Sequence, residues 1–258
     1  MNALRFAIKY LKYWFSAKTA HGIHSPFVFQ LYNEVINKKG NYYSFDKIEQ
    51  LRKKLLLSQK EIDVTDLGTG KSEKRTVSEI AERSLKSVKY GQLLFRLAYH
   101  FKSNTILELG TSLGITTSYL ASANPNSKVI TIEGCPNISS AAKSNFESLG
   151  LNNIETVVGN FDSVLGSRLK TQDSRLDFVF FDGNHRKAPT LKYFSQCLEV
   201  ANNDSVFIFD DIHWSDEMED VWEEIKSHPK VTVTIDLFFL GLVFFRKEQA
   251  KENFILKF

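Results

Sequence analysis

The fold of this chain is decided by the stretch TILELGTSLGITTSYLA, residues 105–121. Its first residues, TILEL, form a short apolar run that predicts a buried strand. A turn between Gly110 and Gly114 follows, and ITTSYLA then predicts a helix. The next apolar run, VITIE, ends in Glu133, 23 residues after Gly110. Strand, glycine turn, helix, strand and acid in this order are typical of folds that bind a nucleoside, with the acid on the ribose hydroxyls.

A second glycine-containing stretch, DVTDLGTGKS at residues 63–72, has a different context. A phosphate-binding P-loop would need a glycine at the position of Thr65. The residues that follow, KRTVSEIAERSLK, are helical in pattern, and no strand is predicted before TILEL. We therefore predict a turn between helices in which Gly68 and Gly70 supply positive φ angles.

On the C-terminal side, apolar runs continue to alternate with helical segments. Helices are predicted near residues 114–123, 137–149, 162–170, 188–200 and 215–227. Runs that are apolar throughout and joined by helices indicate a parallel sheet covered on both faces. The last two runs, VTVTIDL and LGLVFFRK, are too close for a crossover helix and predict a hairpin. The fold class is therefore α/β, with a doubly wound, seven-stranded, mostly parallel sheet whose last strand is antiparallel.

Residues 1–85 are predicted to be a helical N-terminal extension, and residues 86–258 the ligand-binding domain. One helix of the extension has a clear start, because Ser25 is a good N-cap and Pro26 suits the first helical position. This helix is expected to stop at Gly40.

Composition narrows the class of protein. The formal net charge is only +3, so nucleic-acid binding is not expected. The two cysteines, Cys135 and Cys197, form no pairing motif, which favours a cytoplasmic location. No apolar run is long enough to span a bilayer. The basic, aromatic helix at residues 4–15 is expected to pack its aromatic face on the main domain, so membrane association is not expected. A peripheral membrane or partner-binding module stays open as an alternative, and so does a homo-oligomer.

The spacing of the glycine turn restricts the ligand. Ser112 occupies the place of the middle glycine that lets a dinucleotide's pyrophosphate approach the backbone. This substitution disfavours an NAD-type oxidoreductase, which remains the alternative enzyme. It favours a ligand without phosphates, such as S-adenosylmethionine, whose amino-acid end could lie over Gly110 and whose ribose could meet Glu133.

Three carboxylates follow two other predicted strands. Asp182 ends FVFF, while Asp210 and Asp211 end VFIF. Because neighbouring parallel strands direct their carboxyl ends toward the ligand crevice, these groups are expected to converge there. A divalent cation with oxygen ligands, Mg²⁺ for example, would offset their mutual repulsion.

Several of these motifs together resemble one family. LELGTSLGITTSYLA, TIEG, FVFFDGNH and FIFDDIHW are similar to segments of class I S-adenosylmethionine-dependent methyltransferases, and especially of the metal-dependent, catechol-type O-methyltransferases. The resemblance covers about residues 86–246 and includes KYGQLL. It implies a Rossmann-like methyltransferase fold and metal-assisted O-methylation of a small hydroxylated acceptor.

The resemblance also implies roles for individual residues. The metal ligands would be Asp182, Asp210 and Asp211, the last of which is commonly asparagine in the family. His185 stands where the family has a lysine base, and His213 is the second candidate base. The cofactor would be bound by Gln92, Glu108, Gly110, Thr111, Ser112, Gly114, Glu133, Gly134, Asn160, Phe161, Asp162 and Asp182.

Overall fold

The computed structural model describes residues 3–65, 72–170 and 175–258. The strands, in chain order, are β1 (Glu61–Thr65), β2 (Ser72–Thr76), β3 (Thr105–Leu109), β4 (Lys128–Glu133), β5 (Ile154–Val158), β6 (Leu176–Phe181), β7 (Ala201–Asp210), β8 (Val233–Asp236), β9 (Leu240–Phe244) and β10 (Glu252–Ile255). The α-helices are α1 (Ala3–Ser16), α2 (Pro26–Leu31), α3 (Tyr43–Leu56), α4 (Val77–Ser84), α5 (Val88–His100), α6 (Ile115–Ala123), α7 (Pro136–Leu149), α8 (Phe161–Leu169), α9 (Lys187–Leu198) and α10 (Asp216–Ser227). The five helices predicted between strands are confirmed as α6 to α10.

The start of α2 follows the prediction, but its end does not. The Ser25 side chain accepts a hydrogen bond from the Val28 backbone N–H at 3.4 Å, as expected of an N-cap. The α-helix ends at Leu31 and continues as a π-helical turn, Tyr32–Ile36, so helical structure stops before Gly40.

The sequence predicted that DVTDLGTGKS is a turn between two helices. The structure instead has a strand at each end of it, β1 and β2. β1 and β2 form an antiparallel pair in which Glu61 lies opposite Thr76. Ile62 is the one buried residue of β1, so the sequence offers little apolar periodicity from which to predict a strand. Residues 66–71, with both glycines of the predicted turn, lie outside the described residues, and the turn stays a prediction.

Contacts divide the chain into two compact units. One unit contains Met1–Lys38 together with Gln172–Phe258, and the other is Lys39–Thr171. The division differs from the predicted boundary between residues 85 and 86, which stays a prediction.

In the unit Lys39–Thr171, β3, β4 and β5 are parallel neighbours in that order. Their register places Leu109 opposite Ile132, and Glu133 opposite Val158. The loops after these strands therefore begin at the same edge of the sheet. The hairpin of β1 and β2 is a separate two-stranded sheet.

In the other unit the strand order is β10-β8-β9-β7-β6. β6 and β7 are parallel, with Phe181 opposite Phe209, so the residues that follow β6 and end β7 share one edge. β9 runs antiparallel to both β7 and β8, which confirms the predicted hairpin. β10 was not predicted; it pairs in parallel with β8 and is one strand more than the sequence predicted for this unit. Three of its four residues are exposed and only Phe254 is buried, which explains the weak signal.

Candidate active site

The turn after β3 has the backbone conformation that its glycines allow. Gly110 has φ 107° and Gly114 has φ 80°, values that L side chains rarely adopt. Gly114 is also the N-cap of α6. Ser112 lies between them in the left-handed region, with φ 47°. The buried hydroxyl of Thr111 is 2.6 Å from that of Thr131 on β4 and ties the turn to the sheet.

Glu133, at the end of β4, is hydrogen-bonded directly to this turn. Its Oε2 atom accepts from the Ser112 N–H at 2.9 Å, and its Oε1 atom accepts from the Cys135 N–H at 2.9 Å. The residue is half-buried. A carboxylate offers about four lone-pair sites, so capacity remains for a ligand's hydroxyl groups. The acid predicted to bind a ribose is thus held rigidly at the glycine turn.

Glu108 has a more internal position than its neighbours. It is fully buried, and its Oε2 atom accepts from the hydroxyl of Thr131 at 2.7 Å and from that of Thr117. These two threonines, which the sequence reasoning did not single out, stabilise a buried carboxylate beneath the turn. The predicted contact of Glu108 with the cofactor's amino-acid end stays a prediction.

The residues predicted to flank an adenine follow β5. The Asn160 side chain caps α8 by accepting from the Asp162 N–H at 2.9 Å. Phe161 is half-buried, and Asp162 is exposed. Gln92 on α5 and Gly134 after β4 are half-buried as well. Their cofactor contacts remain predictions.

A second group of functional side chains lies in the other unit. Asp182, His185 and Asp210 each offer a donor atom, and these atoms lie within 4.8 Å of one another. The His185 Nε2 atom is 3.8 Å from the Asp182 Oδ1 atom. Asp210, the last residue of β7, is 1% exposed. Burial of a charged carboxylate is costly unless it is hydrogen-bonded, paired with an opposite charge or bound to a metal.

Asp211, the third metal ligand implied by the resemblance, is not part of this group of donor atoms. Its backbone has φ 53°, and its N–H donates to the carbonyl of Phe239 at 2.7 Å. His185, expected as a base, is the third residue of the group, and the metal-ligand role implied for Asp211 stays a prediction.

The donor set suits a divalent cation. An octahedral ion with ligand bonds of about 2.1 Å holds its donor atoms about 3–4.2 Å apart, so the observed spacings would need only a small contraction. Two carboxylates with an imidazole are compatible with Mg²⁺ and also with transition metals such as Mn²⁺.

His213 bridges two acids. Its Nε2 atom is 2.8 Å from Asp236 Oδ2, and its Nδ1 atom is 3.1 Å from Glu219 Oε1. Burial by itself lowers the pKa of His213, but Asp236 and then Glu219 raise it, and the net change is upward. With both ring nitrogens engaged, the ring links α10 to β8; its role as a base stays a prediction. The adjacent Trp214 is 53% exposed and therefore not a core residue.

Known proteins share this fold, and part of the chain matches a family model. Residues 107–212 match the family model described as a methyltransferase domain. The O-methyltransferase TomG from Streptomyces achromogenes, solved in complex with SAM, superposes with a TM-score of 0.60 at 20% identity, covering 80% of this chain and 91% of its own. The O-methyltransferase from Bacillus cereus, in complex with SAH, superposes with a TM-score of 0.59 at 19% identity. The superposition covers 80% of this chain and 92% of that protein. The chain therefore has the Rossmann-like fold of the class I methyltransferases, as predicted, and residues 107–212 are similar to a methyltransferase domain.

Two catechol O-methyltransferases are similar to part of this chain. Catechol O-methyltransferase from Niastella koreensis is 28% identical over 124 residues, which are 47% of this chain and 55% of the relative. Catechol O-methyltransferase from Mycobacterium tuberculosis is 29% identical over 139 residues, which are 52% of this chain and 61% of the relative. The matched stretch thus spans little more than half the length of these relatives. The predicted resemblance to catechol-type O-methyltransferases is confirmed.

Proposed function

We propose that this protein transfers a methyl group from S-adenosylmethionine to a hydroxyl group of a small acceptor, with help from a divalent cation. The observation that carries the proposal is the Glu133 carboxylate, fixed at the glycine turn by the N–H groups of Ser112 and Cys135. The similarity to O-methyltransferases supports it. The predicted cytoplasmic location and possible homo-oligomer remain expectations.

The cofactor site suits an adenosyl ligand better than a dinucleotide. S-adenosylmethionine supplies an electrophilic methyl group on its sulfonium. Glu133 has lone pairs left to accept from both ribose hydroxyls, and its charge is already oriented by two N–H donors. In a dinucleotide fold the backbone at the position of Ser112 would approach a pyrophosphate. Here the Ser112 N–H is committed to a carboxylate, which would repel phosphate. This contact argues against the NAD-type oxidoreductase.

The acceptor site is built on Asp182 and Asp210. A bound divalent cation lowers the pKa of an acceptor hydroxyl. The two carboxylates would hold such an ion, Mg²⁺ by resemblance, and His185 offers the third donor atom. His185 can act either as a ligand through Nε2 or as the base that takes the hydroxyl proton, but one nitrogen cannot do both at once. The substrate class we propose is a small molecule with hydroxyl groups, such as a catechol or a vicinal diol.

The proposal is tested by the ligands that the protein binds. Isothermal calorimetry with S-adenosylhomocysteine should show saturable binding, and NAD should show none under the same conditions. Binding of NAD without binding of S-adenosylhomocysteine would overturn the proposal in favour of the oxidoreductase. Gly110→Val is a poor probe here, because the φ of 107° would strain any side chain and confuse lost binding with misfolding.

A further inference from the structure

Helix α1 packs one face on its own unit. The ring centroid of Phe6 is 5.2 Å from that of Phe238, and that of Tyr10 is 4.9 Å from it. Tyr13 is buried and belongs to the same apolar cluster. The aromatic packing predicted for this helix is therefore confirmed. These contacts use only part of its apolar surface.

The remaining apolar side chains of α1 are exposed to solvent. Leu4, Ile8, Leu11 and Phe15 follow one another at intervals of four, three and four residues, a spacing that places them on a single face of a helix. The exposed fractions along this stripe, with the adjacent Trp14 included, are 68% for Leu4, 45% for Ile8, 53% for Leu11, 42% for Trp14 and 84% for Phe15. We call these five residues the apolar stripe. So many large apolar groups exposed together indicate an interaction surface.

The chain around the stripe is positively charged. Residues 1–33 contain four basic residues and no acidic residue. Lys12 and Lys18 are exposed. The Lys257 ammonium lies 4.6 Å from the centre of the Trp14 ring, at the edge of the stripe.

The acidic groups that contact α1 are engaged by its other cations. Asp216 lies 3.0 Å from Arg5 and 3.2 Å from Lys9, and Glu219 lies 2.8 Å from Lys9. These pairs link α1 to α10. Lys12, and Lys257 at the Trp14 ring, therefore dominate the charge beside the stripe.

We propose that the apolar stripe of α1 docks on an anionic lipid surface. Among the described residues no helix is long and apolar enough to cross a membrane, so the helix would lie in the plane of the interface. Aromatic and apolar side chains would enter the acyl boundary, while Lys12 and Lys18 would meet acidic headgroups. A second copy of this chain is the weaker occupant, because it would present the same excess of positive charge. The sequence favoured packing of the aromatic face on the domain over membrane association, and left a peripheral membrane module open as the alternative.

The test uses the full chain and sedimentation with phosphatidylcholine vesicles, either pure or mixed with phosphatidylglycerol. We expect binding to the mixed vesicles only, and weaker binding as salt is raised. Phe15→Asp should lower the partition coefficient about tenfold or more, since it removes the most exposed apolar group and adds a negative charge. Lys12→Glu should weaken binding in the same direction. Leu57→Asp is the matched control, because Leu57 is 79% exposed but lies on another element; it should bind like the wild type.

Three results would overturn the proposal. The first is absence of binding to the mixed vesicles. The second is a failure of specificity: either the protein binds neutral and anionic vesicles equally, or Leu57→Asp loses as much vesicle binding as Phe15→Asp. The third is a concentration-dependent dimer in sedimentation velocity that Phe15→Asp dissolves while vesicles capture nothing, which would assign the stripe to a second copy.

Discussion

Replacing Glu133 by alanine removes the contact on which the cofactor assignment rests. The substitution deletes two acceptors, one for the Ser112 N–H and one for the Cys135 N–H, both at 2.9 Å. It also deletes the group proposed to accept from the ribose. Hydrogen bonds to a charged group contribute about 1.5–3 kcal/mol. The dissociation constant of S-adenosylhomocysteine should therefore rise by roughly 10- to 150-fold.

The same change affects the empty protein. Two backbone donors lose a charged acceptor, so the free energy of unfolding should fall by about 1–3 kcal/mol. Because Glu133 is half-buried, water can replace part of each bond, and the lower end of that range is expected. The protein should remain folded at the temperature of the binding assay.

Calorimetric titration with S-adenosylhomocysteine, paired with urea denaturation of each variant, separates the two effects. Glu133→Gln keeps one acceptor oxygen and should lie between alanine and wild type. Glu147→Ala, an exposed acid on α7, is the control and should change neither quantity. If Glu133→Ala is folded and its dissociation constant equals that of wild type, Glu133 is only a structural clamp of the turn and the reasoning is refuted.

Three further outcomes are expected. The pKa of His213 is raised above its ordinary value of 6.5. Its charge therefore stabilises the fold fully below about pH 6.5, and this stabilisation is lost as the pH rises through the pKa of the folded state. His213→Gln should thus lower the free energy of unfolding most in acid, and a loss that does not depend on pH would contradict this. Gly91→Ala should destabilise by about 1–3 kcal/mol in urea denaturation, because the added Cβ would lie 2.7 Å from the Tyr119 ring; a gain in stability would show that α5 and α6 can separate. If His185 is a metal ligand, His185→Asn should weaken Mn²⁺ binding by roughly tenfold relative to Mg²⁺ in calorimetry, whereas unchanged selectivity would leave it as a base.

Much of the fold could be predicted because its signals are local. The strands β3 to β9 are short apolar runs separated by helical segments, and the two-face burial of β7, where Val206 to Phe209 are 0% exposed, is the state that such runs predict. The hairpin of β1 and β2 was missed because it buries almost nothing and has no periodic apolar pattern. β10 was missed for a similar reason, since its pairing with β8 depends on tertiary context.

The places of the candidate site residues along the fold could be predicted from the sequence, but the contacts of their side chains could not. The place of Glu133 follows from the order of strand, turn and acid, and the sequence did indicate a ribose ligand. The Glu133 carboxylate also accepts a hydrogen bond from the Ser112 N–H, which depends on a left-handed backbone at Ser112. This conformation is uncommon for a residue other than glycine and could not be predicted from the sequence. Likewise, the sequence does not show that His185 rather than Asp211 offers a donor atom beside those of Asp182 and Asp210, because this depends on side-chain positions.

The most direct test of the central claim is the transfer of a labelled methyl group from S-adenosylmethionine to a panel of catechols and vicinal diols. The account predicts turnover of at least one acceptor with Mg²⁺ or Mn²⁺ present. EDTA or Asp182→Asn should abolish that turnover while leaving the affinity for S-adenosylhomocysteine largely intact, because the proposed metal ligands follow β6 or end β7 and do not belong to the glycine turn. Turnover of an identified acceptor that is indifferent both to EDTA and to Asp182→Asn would contradict the metal-assisted mechanism.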